Sequence, residues 1–419
     1  MLHDGRANRV VVVGGSRIPF CRSHSIYKNC SNLDLMSAAL TGVVNKFDLK
    51  GQTLGDVALG AVIKHSSDWN LARESVNESG LSPRTPGVDL QRACGTSLEA
   101  CIMIANKIAL GQIDSGIGGG TDTISDAPIV YNDDYRAIML DVFRARSAMQ
   151  RILPWFRLRP SHFKPQFPGV TEPRTGLSMG ESMEITAQKW DVPREHQDQL
   201  ALASHVKAAA AYDAGWYEDL VVPFMDCEED NNIRRDTTFE KLSALKPVFD
   251  KSGDATMTAG NSTPLTDGAA AVLLASEDWA RMKNVPIAAY LTFAKVSAIN
   301  FVNDEGLLMA PAYAVSEMLK DADLRLQDFD FYEIHEAFAS QTITTLKAWQ
   351  SEQFCRDKLG RNQPLGPIDL SKLNVKGGSL AMGHPFAATG ARIVATMAKL
   401  LSENGSGRGL ISVCTAGGM

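Results

Sequence analysis

The chain has no Cys-x-x-Cys pair, although it carries seven cysteines: Cys21, Cys30, Cys94, Cys101, Cys227, Cys355 and Cys414. An odd count without paired spacing argues against a disulfide framework and against a structural zinc site. The chain also lacks any apolar run of the roughly 18 residues that a membrane-spanning helix needs. Positive charge is not in excess: 42 Lys and Arg stand against 48 Asp and Glu, a formal net charge of -6. A nucleic-acid backbone requires a basic footprint, so it is excluded as the main partner. Gly14-Gly15 is too short a signal for a dinucleotide fingerprint, and no metal, flavin or nicotinamide motif is present. The start, MLHDGRANRVVVVGG, has an apolar run too short for a secretory leader. A cytoplasmic protein without a resident cofactor is expected.

What is present is an ordinary soluble composition, 44% hydrophobic and 21% charged. At roughly 100–200 residues per domain, 419 residues allow two or three domains. Short β-branched runs alternate with helical spacing up to Gly120, which predicts a mainly parallel sheet with helices on both faces. Strands are expected at Val10–Val13, Asp56–Ile63, Val88–Leu90 and Ile113–Gly120, and helices at Leu33–Phe47 and Gly95–Leu110. From about Thr121 to Pro247 prolines and charges rise and helical pieces dominate, notably Met183–Trp190 and Arg194–Asp213. The α/β pattern returns at Gly268–Ala275 and Ile287–Ala298. A weak repeat links VDLQ-RACGTSLEACIMIANKIALGQIDSGIGGG to NVKGGSLAMGHPFAATGARIVATMAKLLSENGSGRGLISVCTAGG. Each copy has an extended segment, a small-residue turn, an Ala- and Gly-rich helix and a strand ending in glycines.

Four residues, three of them in these units, carry chemistry. Cys94, in RACGTS, sits before an apolar helix, where the helix dipole is expected to favour its thiolate. His384, in AMGHPFAATGAR, lies in a tight turn between Gly383 and Pro385 and suits a base working near neutrality. Cys414 closes the strand GLISVCT, where glycines leave backbone amides free to face an oxyanion. His335, in FYEIHEAFA, ends another predicted strand and can donate to a developing negative oxygen. A buried structural cysteine or a satisfied core histidine is the plain alternative for each one taken alone. Cys101 is expected to be only that.

Together, RACGTS, MTAGNSTPLTDGAAAVLL, HEAFA, NVKGGSLAMGHPFAATGAR and CTAGG, in their respective places, resemble the thiolases over essentially the whole chain. The resemblance implies an α/β thiolase fold: two similar αβαβα-layered halves about a pseudo-twofold, with an inserted helical loop domain. The halves would be 1–120 plus 248–276 and 277–419, and the insert 121–247. It further implies that Cys94 is the nucleophile, that His384 activates it and later CoA, and that Cys414 moves the α-carbon proton. One oxyanion site would use His384 with His335. The other would use the backbone N–H groups of Cys94 and Ala416, the latter standing where many thiolases have glycine. Met179, Phe249, Ala259, Thr263, Leu265 and Phe338 match positions along the CoA groove. 3-Ketoacyl-CoA, CoA and acetyl-CoA are the expected ligands, with CoA a substrate rather than a cofactor. A homodimer or dimer of dimers is implied.

Departures from the family pattern refine these expectations. His335 replaces the usual Asn, as in the β-subunit of the trifunctional fatty-acid-oxidation enzyme. A degradative 3-ketoacyl-CoA thiolase, with a hydratase/dehydrogenase α-subunit as partner, is favoured over an acetoacetyl-CoA thiolase. Ser178 replaces a histidine frequent in short-chain enzymes. The non-enzymatic alternative is a thiolase-like lipid carrier or scaffold. Residues 141–164 carry six basic residues, from Arg144 to Lys164, against Asp141, with Trp155 and Phe156 among them. Such a stretch can lie in a membrane interface, dock a partner or meet CoA phosphates. Thiolases usually continue into one more strand after the glycines at 417 and 418, so an unpaired sheet edge is expected beside Ser412 and Cys414.

Overall fold

The computed structural model describes residues 8–169, 171–303 and 305–419. Residues 1–7, where the expected N-terminal half begins, lie outside these. Among the described residues nine strands form: β1 Val10–Arg17, β2 Cys21–Arg22, β3 Asp56–Leu59, β4 Gly87–Asp89, β5 Ser115–Asp122, β6 Thr266–Ser276, β7 Ala289–Tyr290, β8 Phe331–Ile334 and β9 Gly409–Ser412. The larger sheet runs β4-β3-β5-β6-β1-β7, with β2 also on β6. Its central strands β5 and β6 are buried at every residue. Small residues there leave room for helices on both faces.

The sheet is mixed rather than mainly parallel. β3 pairs parallel with β4 and β5, but β6 runs antiparallel to both β5 and β1. The long stretch 123–265 separates β5 from β6, so no short crossover helix dictates their relative direction. Several expected elements are displaced by a few residues. The predicted strand Asp56–Ile63 stops at Leu59, and the first long helix is Asn32–Lys46, held by a capping box between Ser31 and Asp34. Helix Arg194–Asp213 has the expected bounds. Its Ala208 and Ala211 pack with Tyr217, Ala381 and Met382 in the core that also holds the helix Thr96–Ala109.

The two repeated units adopt matching arrangements. In the first, β3 lies parallel between β4 and β5. In the second, β8 lies parallel between β9 and a bridge at Leu373. Helices Thr96–Ala109 and Thr389–Asn404 each precede the last strand of their unit. They meet near their N-termini, where the Ala391 N–H donates to Ser97 Oγ at 2.8 Å. The arrangements diverge beyond that strand. β5 has β6 as its next neighbour, whereas β9 has no second strand neighbour among the described residues. Its free edge borders a groove, closed on the far side by 291–297. The predicted strand Ile287–Ala298 accordingly forms a ladder only at Ala289–Tyr290, where β1 supplies a partner.

Candidate active site

Loops after β4, β8 and β9 carry Cys94, His335 and Cys414, the usual place for chemistry in α/β folds, and the turn after the short helix Ser379–Met382 carries His384. Cys94 follows β4 on a turn in which Ala93 takes a positive φ of 41°. Thr96 stabilises that turn: its Oγ1 donates to Ala93 O at 2.7 Å and accepts the Arg92 N–H at 2.8 Å. A methyl group added at Gly95 would come within 2.9 Å of the Thr415 side chain, so a small residue here lets the Cys94 and Cys414 loops meet. The backbone N–H groups of Ala416 and of Cys94 itself are directed at the Cys94 sulfur.

The Cys94 thiol is not acidified by its helix. Burial pushes it up to about 12, and the two backbone donors offset only part of that effect. Desolvation disfavours the thiolate form. Cys414 is also held well above its ordinary range, by burial first and by the neighbouring Cys94 second. Both shifts favour the thiol over the thiolate.

The two imidazoles lie side by side, with ring centroids 4.1 Å apart. The His335 backbone N–H donates to Ser412 O at 2.8 Å, fixing the end of β8 beside the end of β9. His384 sits on a turn in which Gly383 has φ +102°, a conformation that a side chain would strain. Its backbone N–H donates to Thr266 Oγ1 at 2.7 Å, and its Nδ1 lies 2.6 Å from Thr389 Oγ1. Burial, then the Arg392 charge, lowers His384 to about 3. Burial, His384 and Arg392 depress His335 as well. The Nε2 atoms of both rings are buried and have no hydrogen-bond partner among the described residues.

Several supporting residues carry no motif signal. Asp122, at the end of β5, accepts the N–H groups of Val62, Ile63 and Ala387 at 2.7–2.9 Å. Burial raises it to about 7. Glu336 accepts from Asn374 Nδ2 at 2.6 Å, Ser204 Oγ at 2.8 Å and the Leu380 N–H at 3.2 Å, tying the His335 loop to the segment before His384. Glu172 accepts the Gly417 N–H at 2.6 Å. These roles depend on partners tens to hundreds of residues away, which spacing along the chain does not reveal.

The expected groove residues are gathered unevenly. Met179, Phe249 and Phe338 join Cys414 in one apolar cluster, and the Phe249 and Phe338 rings stack edge to face at 5.8 Å. Thr263 donates through Oγ1 to Ala337 O at 3.0 Å, and Leu265 forms a backbone bridge beside His384. Ala259 is exposed on a neighbouring turn. Ser178 caps helix Met179–Lys189 through Glu181. Among the described residues, no group of three or more His, Cys, Asp or Glu side chains is arranged to hold a metal ion.

Comparison with known proteins agrees with this arrangement. Residues 10–278 match the thiolase N-terminal domain and residues 285–419 the thiolase C-terminal domain. A 3-ketoacyl-CoA thiolase of Yersinia pestis (strain Pestoides F) is 39% identical over 420 residues, covering 99% of this chain and 96% of the relative. The structure of Bacillus anthracis acetyl-CoA acetyltransferase superposes with a TM-score of 0.82 at 27% identity, covering 99% of this chain and 98% of the other. Human mitochondrial 3-ketoacyl-CoA thiolase in complex with CoA superposes with a TM-score of 0.80 at 29% identity, covering 98% and 96%. With both domains matched along nearly all its length, the chain belongs to the thiolase family.

Proposed function

We propose that the chain is a 3-ketoacyl-CoA thiolase of fatty-acid β-oxidation, transferring an acyl group from 3-ketoacyl-CoA to CoA with release of acetyl-CoA. The observation that carries this reading is the pairing of two neighbouring thiols with two imidazoles of unpartnered Nε2, on segments joined where the His335 N–H meets Ser412 O. In the degradative direction, Cys94 attacks the 3-keto carbon and its proton passes to His384. Because the resting thiol is weakly acidic, that proton leaves as the carbon–sulfur bond forms. The Cα–Cβ bond then breaks, and Cys414 protonates the acetyl-CoA enolate carbon. The thioester oxygen faces Nε2 of His335 and His384, and the oxyanion on the attacked carbon faces the Cys94 and Ala416 N–H groups. His384 passes the proton it took to the Cys414 thiolate; CoA then gives its thiol proton to the freed His384 and attacks the acyl carbon, and the departing Cys94 sulfur takes that proton back, completing two-step covalent catalysis. CoA is a substrate, and the chemistry assigned to these residues needs no further cofactor. Met179, Phe249, Ala259, Thr263, Leu265 and Phe338 are assigned to the CoA groove, and 121–247 to an inserted loop domain between 1–120 plus 248–276 and 277–419. Thiolysis of a chain-length series by the wild type and Cys94→Ala tests the reading. Activity confined to acetoacetyl-CoA would replace it with the acetyltransferase activity named for the Bacillus anthracis neighbour.

The proposed compartment is the cytoplasm, with a peripheral contact to a membrane through 141–164. Among the described residues no helix is long and apolar enough to cross a membrane. The segment 141–164 instead presents a mixed basic and apolar face. Phe143 and Phe156 are 86% and 83% exposed, and Met149, Ile152 and Leu153 are more than half exposed around the arginines. Uncovered aromatic and aliphatic groups beside cationic side chains suit an anionic lipid interface. A hydratase/dehydrogenase subunit covering the same face is the competing outcome. A homodimer or dimer of dimers is the proposed assembly.

A further inference from the structure

Arg392, Ser379 and His335 form a buried chain, and the reaction scheme above uses only its last member, His335. Ser379 Oγ lies 2.8 Å from Arg392 Nη2 and 2.8 Å from His335 Nδ1. All three side chains are almost wholly buried. A guanidinium has only donors, so Ser379 Oγ accepts from Arg392. The serine hydroxyl has one hydrogen to give, and His335 Nδ1 is its only side-chain or backbone acceptor among the described residues. If Nδ1 carried a proton instead, Ser379 would accept twice and its own buried hydrogen would have no partner, at a cost comparable to a lost hydrogen bond.

We infer that Ser379, itself oriented by Arg392, is a positioning residue that fixes His335 as the neutral tautomer protonated on Nε2. That atom is the one buried in the site without a protein partner. The inference rests on the reading of His335 as an oxyanion donor and supplies what that role requires, a proton held on the correct nitrogen before substrate arrives. The groups facing the ring reinforce its neutrality. Arg392 places a cation behind it, and His384 lies 4.1 Å away. Glu333 faces Arg392 at 3.7 Å through Nη1, whereas Nη2 meets Ser379. The relay thus separates two chemically similar rings. His335 is committed to donating, while His384, whose Nδ1 meets the single hydroxyl of Thr389, remains available to accept a proton at Nε2.

The test combines spectroscopy and kinetics on the full chain. In the wild type labelled with nitrogen-15 histidine, His335 assigned by its loss in His335→Asn should show a neutral, Nε2-protonated ring across neutral pH. A ring protonated on Nδ1, or on both nitrogens, overturns the inference whatever the activity. Ser379→Ala should lower kcat for thiolysis by about 10- to 100-fold with KM for the ketoacyl-CoA nearly unchanged. Ser379→Thr, which restores the hydroxyl, should recover most of it. Full kcat in Ser379→Ala also overturns the inference. If His335→Ala itself retains full activity, the oxyanion reading fails, while the ring's tautomer still decides the relay.

Discussion

The His335 and His384 rings lie 4.1 Å apart, each held at Nδ1 by a hydroxyl and each leaving Nε2 free inside the site. Side-by-side imidazoles with one free nitrogen each can divide donor and acceptor duties without either carrying charge. Replacing His335 with Ala should therefore remove one oxyanion donor and cost about 10²–10³ in kcat. His335→Asn keeps an N–H donor and should retain much more activity. Steady-state thiolysis of a single ketoacyl-CoA by both variants checks the ranking, and equal losses would remove the donor role.

A second prediction concerns the sulfur. Since burial pushes the Cys94 thiol up to about 12, its thiolate fraction must keep growing with pH through the whole accessible range. Alkylation of Cys94 by iodoacetamide should rise about tenfold per pH unit between pH 7 and pH 10 without levelling. The sign follows from deprotonation: fewer protons at higher pH mean more nucleophile. A plateau near pH 7 would show instead an acidified cysteine, as its place before a helix suggests. The site of modification is read by peptide mass spectrometry, with Cys94→Ala as the blank.

That contrast marks where the sequence stops being informative. Cys94, His335, His384 and Cys414 were legible because each lies in a short motif of small residues at a strand or helix boundary. Helix Arg194–Asp213 was legible from its spacing. The direction of the Cys94 shift was not, because burial depends on the Cys414 loop folding over it from the far end of the chain. The antiparallel placement of β6 was hidden for a related reason: strand direction in a sheet depends on how 123–265 wraps, and a local apolar pattern reads the same either way. Asp122, Glu336, Ser379 and Arg392 look like ordinary polar residues until their distant partners are known.

Cys414 has a role that can be isolated from thioester exchange. Proposed as the group that adds or removes the α-carbon proton, it should be needed for exchange of the acetyl-CoA methyl hydrogens in deuterated water. Cys414→Ala should slow that exchange by about 10²–10⁴, while Cys94 still becomes acylated by acyl-CoA. Proton NMR of acetyl-CoA and intact-protein mass report the two events separately. Unchanged exchange would assign the proton transfer to another group.

Glu336 provides a structural prediction. Its carboxylate accepts hydrogen bonds from Ser204, Asn374 and the Leu380 N–H, all inside the protein. Glu336→Gln keeps one oxygen and turns an amide N–H₂ towards a donor, leaving buried groups unpaired. A loss of about 1–3 kcal/mol is expected, together with reduced kcat because the His335 loop loses its anchor. Thermal melting measures the first effect and thiolysis the second. Glu336→Asp, too short to reach all three donors, should fall on the same side. Wild-type stability in either variant would contradict the anchoring role.

The exposed face at 141–164 makes the most separable prediction, because its arginines lie on a surface and not among the reactive groups. Arg157 pairs with Asp141 but is still more than half exposed, so its charge remains available. Near an anionic surface each Lys or Arg contributes about 1 kcal/mol. Reversing Arg151, Arg157 and Arg159 to Glu should therefore weaken binding to phosphatidylserine-containing vesicles by at least about 100-fold, with little change in thiolysis of a short-chain substrate. Binding of the wild type should also fall as salt rises, since the attraction is screened beyond about 10 Å at 0.1 M ionic strength. Phe143→Ser with Phe156→Ser should weaken the salt-resistant remainder. If all these variants co-sediment with vesicles as the wild type does, the lipid reading fails. If the wild type itself does not bind vesicles but loses a hydratase/dehydrogenase subunit on charge reversal, the face belongs to that partner instead.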